Sequence, residues 1–249
     1  KDNELRGQLH RHKWFTPLGK AWRVSGDEKY VNEWMAEYLD WYKKNPMYDG
    51  ENARFAWRPL EVSHRVEDQI RQFALCVNAP GFDEDFLLTF LKNYNFQAEY
   101  LRSHYSEKGN HLLFEAERML AASLFFPEFK AAESWREEAI DILNREIGEQ
   151  VYEDGVQFEL DPHYHFEAAI LFFNALHLCD HFGQSGCFPK SYKDRVHRMM
   201  EVSYNQMYPD YTMPVFSDCR FIEKDHLQGN YALWSGFYGN DAYLKYLAG

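Results

Sequence analysis

"PLGKAWRVSGDEKYVNEWMAEYLDWYKKNP", residues 17–46, repeats aromatic and aliphatic residues at spacings of three and four and stops at Asn45-Pro46. That period belongs to helices, and the interruption at Ser25-Gly26-Asp27 divides the stretch into a helical hairpin. The same pattern predicts further helices over about 59–78, 83–105, 110–124, 128–151, 165–182, 189–207 and 225–247, separated by punctuation such as NAPGFDED and FFPEFK. Strand signals are scarce. Only VQFEL at 156–160 alternates over a short run, and Asp161-Pro162 follows at once, which reads as an extended piece feeding a helix start. Hairpins of about 45 residues without a copied consensus predict an all-α fold of paired helices stacked in a curve or ring. No linker interrupts the pattern, so one domain spanning residues 1–249 is expected.

Composition narrows the function classes. The 45% apolar content is that of a folded globular chain, and no run approaches the roughly 18 apolar residues of a membrane span. No membrane partner is therefore expected. The first residues, KDNELRGQLHRHKW, lack both an initiator Met and a signal-peptide layout, and read as those of a processed or excised piece. With 39 acidic against 27 basic residues the formal charge is −12, which argues against nucleic acid as a partner. It leaves room for a polyanion in one locally basic cleft. Aromatic residues make up 18% of the chain; flat rings suit either a crowded core or a carbohydrate cleft. Cys76, Cys179, Cys187 and Cys219 show no CxxC spacing, so core thiols are expected.

Four groups of polar residues lie near predicted helix starts. WRPLEVSHRV, residues 57–66, puts Arg58, Glu61 and Arg65 on one helical face, a spacing that suits capture of a carboxylate or an exposed charged surface. SHYSEKGNHLLFEAERML, residues 103–120, places His104 upstream and Gly109-Asn110-His111 directly before an apolar run, where Asn110 is either an N-cap or a functional amide. In LHLCDHFG, residues 176–183, His177 and His181 are four apart but no carboxylate of the HExxH kind lies between them, so no metal is expected. The fourth group is GVQFELDPHYHFEA, residues 155–168, in which Tyr164 stands between His163 and His165.

WRPLEVSHR, GNHLLFEAERML with FFPEFKAAESW, EQVYEDGVQFELDPHYH and YTMPVFSDC occur in the order found in heparinase II/III polysaccharide lyases. From about residue 10 onward the chain resembles their helical domain, nearest to the heparinase III (heparan-sulfate lyase) branch. The resemblance implies an incomplete α/α toroid of antiparallel hairpins that eliminates across uronic-acid linkages of heparan sulfate. Asn110 then neutralises the uronate carboxylate, and Tyr164 acts at the glycosidic oxygen, with the C5 proton as a second candidate. Arg58, Arg65, His104, His111, Glu159 and His163 are the expected substrate-binding residues. No cofactor is implied. The resemblance further implies a periplasmic or secreted protein and a C-terminal β-sandwich, which this stretch does not contain.

The residue types suit the chemistry. Proton abstraction beside an ionised carboxylate needs that group's charge neutralised, which a positioned amide does for several kcal/mol in a dry site. A phenol with a pKa near 10 is a competent acid for the leaving oxygen at neutral pH. Two other readings stay open on the residues alone. One is a hydrolase pairing Glu115, Glu159 or Asp161 as acid and base; the other is a non-catalytic glycan-binding module.

Overall fold

In the computed structural model, residues 3–47, 50–216, 219–239 and 241–249 are described. About 71% of them are helical, and none forms a strand. The all-α class is therefore observed. The elements are α1 (Asn3–Leu9), a 3₁₀ turn (Lys13–Phe15), α2 (Thr16–Ser25), α3 (Lys29–Lys44), α4 (Gly50–Phe55), α5 (Pro59–Cys76), α6 (Glu84–Arg102), α7 (Asn110–Phe125), α8 (Ala132–Gln150), α9 (Pro162–His181), α10 (Lys190–Gln206), α11 (Lys224–Phe237) and α12 (Ala242–Ala248). Where one helix is predicted over 225–247, two form, interrupted by Gly239 at φ 73° and by Asp241, whose carboxylate accepts from Tyr243 N and Leu244 N and so starts α12. The extended piece at 156–160 is present only as an isolated antiparallel bridge between Val151 and Gln157.

Contacts within the stretch read as one domain cluster into two compact units: residues 1–107 with 118–136, and 108–117 with 137–249. In the first, α2 packs on α3 and α5, and α5 packs on α6. Its aromatic core takes Trp34 and Tyr38 from α3 and Phe86, Phe90 and Tyr94 from α6. Polar residues run through this core, and several are matched to one another. Trp34 Nε1 donates to Gln72 Oε1 at 3.1 Å, Gln72 Nε2 donates to His12 O at 2.8 Å, and Gln97 Nε2 donates to Gln69 Oε1 at 2.9 Å. Unmatched, such groups would each cost about 1–3 kcal/mol.

The second unit is built around α9. Ala168, Ala169, Leu171, Phe172, Phe173, Ala175 and Leu176 are all buried, so this helix is apolar nearly all round, as a central helix must be. α10 and α11 pack on it, and α12 packs on α11. Tyr192 and Tyr231 bring hydroxyls into the interior and donate them to Phe172 O and Met200 O. Cys76 and Cys179 are buried thiols as expected, whereas Cys187 and Cys219 are only half-buried.

Candidate functional site

α9 begins three residues earlier than its apolar period indicates, because Asp161-Pro162 is itself a helix start. Asp161 Oδ1 accepts from His163 N at 2.9 Å and Tyr164 N at 3.0 Å, and Pro162 takes the first helical position, where its missing N–H costs nothing. Tyr164 thus stands in the first turn of the unit's central helix, half-buried. The His163 ring lies edge-on to it, with centroids 5.6 Å apart, and His163 Nδ1 is buried with no hydrogen-bond partner among the described residues.

The loop 151–161 that leads into α9 is held from several sides. Phe158 N donates to Gln150 O at 2.8 Å, and Glu159 N donates to Gln157 Oε1 at 2.9 Å. His165, the next residue after Tyr164, has both ring nitrogens engaged elsewhere. Its Nδ1 accepts from Gln157 N at 3.1 Å and its Nε2 donates to Met199 O at 2.9 Å. A backbone N–H can only donate and a carbonyl can only accept, so the ring is a neutral Nε2–H tautomer, and burial lowers its pKa in keeping. Gly155, at φ 94°, brings its backbone so near α10 that an added Cβ would meet Arg198 C at 2.8 Å. Leu160 at φ 58° reverses the chain between Glu159 and the cap.

α7 supplies the other half of the site. Gly109, at φ 81°, turns the chain, and its carbonyl accepts from Leu113 N at 3.1 Å. That closes the first helical bond from Gly109, so Asn110 is the first residue inside the helix and not its N-cap. Asn110 Nδ2 instead donates to Glu159 Oε1 at 2.9 Å, while its Oδ1 is buried without a partner among the described residues. Burial and the nearby Asp161 carboxylate raise the pKa of Glu159, and the Asn110 bond opposes them. His111 follows, exposed. From the 207–223 segment the half-buried Cys219 thiol comes near Asp161 and His163, and burial raises its pKa. This is the YTMPVFSDC run; its Ser217 and Asp218 lie outside the described residues.

The structure thus joins Asn110, Glu159, Asp161 and the first turn of α9 in one set of contacts within the second unit. Two members of the paired-carboxylate reading are ill suited to it. Glu115 is fully buried, and Asp161 is occupied in capping. Asp161, ahead of the helix start that the Asp-Pro pair announced, belongs to the site as a cap, and Gln157 belongs to it as scaffolding that the sequence reading passed over. Among the described residues no three His, Cys, Asp or Glu side chains are grouped as for a metal, and His177 is exposed and stacked on Phe173.

Arg58, Arg65 and His104 belong to the first unit. Arg58 is exposed, reaches Glu61 Oε1 at 3.4 Å, and lines a cavity of about 300 Å³ together with Arg54, Phe55 and Glu4. His104 is exposed, stacked on Tyr100 at 4.1 Å, with its Nδ1 2.8 Å from Tyr100 O. Arg65 requires correction as a substrate ligand. It is 0% exposed, its Nε donates to Gln97 Oε1 at 2.7 Å, its Nη1 donates to His10 O at 3.0 Å and Ala56 O at 2.6 Å, and it lies against Trp41 and Trp57. A guanidinium so enclosed is a core cation, beyond the reach of a sugar.

The chain matches the family described as Heparinase II/III N-terminus over residues 1–246. It is 52% identical to a heparin-sulfate lyase of Bacteroides stercoris and 43% identical to one of Pedobacter heparinus, in both cases over 100% of this chain and over 40% and 38% of theirs. It therefore spans about two fifths of the length of these relatives. A solved heparinase III structure superposes with a TM-score of 0.88 at 52% identity, over 100% of this chain and 42% of that one. Motif order, the all-α fold and similarity over the whole of this chain agree: the chain belongs to the heparinase II/III family.

Proposed function

We propose that the protein is a polysaccharide lyase that cleaves uronic-acid-containing glycosaminoglycan, heparan sulfate foremost, by β-elimination. The observation that carries this reading is the Asn110 amide, released from capping and donating to a carboxylate oxygen at 2.9 Å. An amide that holds one carboxylate at the edge of a helix start is suited to hold a uronate. A general base takes the C5 proton, and the electron pair of the C5–H bond forms a C4–C5 double bond as the C4–oxygen bond breaks. Asn110 lowers the barrier by donating to the carboxylate on which negative charge accumulates. Tyr164, set by the cap of α9, gives its proton to the departing oxygen. The names of the relatives support heparan sulfate as the substrate class, and the family resemblance supports a periplasmic or secreted location.

The test is to incubate the full-length protein with heparan sulfate, heparin, hyaluronan and alginate and to follow ultraviolet absorbance of the unsaturated uronate. Heparan sulfate is expected to give the fastest rise. Cleavage without absorbance would show a hydrolase, and binding without cleavage a glycan-binding module. Tyr164→Phe is expected to keep the fold and most of the binding while turnover falls by about 10² to 10⁴. Near-normal turnover with altered affinity alone would make Tyr164 a stacking platform.

A further inference from the structure

A carboxylate bonded to the very amide that is to receive a carboxylate is a conflict the site must resolve. Glu159 is exposed and belongs to a loop bonded at Gln150 and His165 and packed closely on α10 at Gly155, so its backbone position is set by the fold. The Asn110 amide has two N–H donors and one acceptor. One donor goes to Glu159 Oε1, and the acceptor Oδ1 is turned inward with no partner among the described residues. Without Glu159 nothing in these contacts would favour that orientation over the flipped one, which would present Oδ1 to an incoming carboxylate.

We propose that Glu159 is a positioning residue: it fixes the Asn110 amide so that the second Nδ2–H is left for the substrate's uronate, and its negative charge opposes that same uronate. The inference rests on the lyase reading above. It separates two effects that ordinarily travel together. Orientation needs an acceptor at the Glu159 position and serves turnover, whereas repulsion needs a charge there and weakens binding. The charged neighbour that acts on Glu159 is Asp161, from the cap of α9, and the opposing donor is Asn110, from α7. Partial withdrawal of its carboxyl from water and the Asp161 charge raise the pKa of Glu159 above that of a free glutamic acid, so the repulsion strengthens as pH rises.

The experiment compares Glu159→Gln, Glu159→Ala and Asn110→Ala in the full-length protein. It measures kcat and KM on heparan sulfate from about pH 5 to pH 8, with melting temperature as a control on folding. Gln keeps an acceptor and loses the charge. Its kcat is expected within about threefold of wild type, and its KM lower than wild type, by a margin that shrinks as pH falls. Ala loses the acceptor, so its kcat is expected to fall about tenfold at unchanged melting temperature. A Glu159→Ala enzyme with normal kcat beside an inactive Asn110→Ala enzyme overturns this proposal and leaves the lyase reading standing. Gln as damaged as Ala also overturns it, because the carboxyl proton itself would then be at work. A fully active Asn110→Ala enzyme removes the reading on which both depend.

Discussion

Arg65 carries a positive charge into a place without water, and its surroundings explain how that is tolerated. Burial brings its pKa down to about 10, which still leaves it charged at neutral pH. Two carbonyl oxygens, an amide oxygen and two indole faces replace its hydration. Arg65→Ala would strand those acceptors in the core, so unfolding by urea should show a loss on the order of 3 kcal/mol. The KM of the folded fraction for heparan sulfate should not move. A raised KM at unchanged stability would return Arg65 to the substrate-binding residues. Sequence spacing could not separate Arg65 from Arg58, because a three-and-four period gives the face of a helix and not what covers it. Asn110 was ambiguous for a similar reason. An Asn before an apolar run caps a helix unless the residue ahead of it supplies the first carbonyl, and here Gly109 does.

The elements that matter most for the site are two turns, each resting on a glycine with positive φ. They fail differently. Gly109→Ala meets no atom within 4 Å and should cost only the strain of the left-handed backbone, about 1 kcal/mol. Gly155→Ala adds a collision with the Arg198 backbone at 2.8 Å to the same strain, so the loop or α10 must shift, at a cost of at least about 2 kcal/mol. Because that loop carries Glu159, Gly155→Ala should also lower kcat. Thermal melts of both variants check the ranking, and equal melting temperatures would show that the loop yields freely. Long helices were legible in the sequence because their apolar period persists over several turns, as in α3, α5, α6 and α10. The short α1 and α4 were not, since one or two turns carry no period, and the break before α12 depends on a single Asp cap.

At the scale of the whole chain the governing quantity is charge. A molecule at −12 repels a sulfated polymer at every distance within the Debye length, about 8 Å at physiological ionic strength. Some of its positive side chains are paired: Arg6 with Glu51, Arg11 with Glu61, Arg118 with Glu67. Repulsion grows with the charge density of the ligand, whereas a contact to one uronate through a neutral amide does not. Poorly sulfated heparan sulfate should therefore bind this 249-residue chain better than heparin at low salt. Raising the salt from about 0.02 M to about 0.2 M shortens the Debye length roughly threefold and should narrow that preference chiefly by improving heparin binding. Titration of the chain's tryptophan fluorescence with size-matched oligosaccharides at both salt concentrations measures it. If heparin instead binds more tightly at low salt and is released as salt rises, a basic cleft dominates over net charge, and the preference for sparse sulfation would have to be dropped.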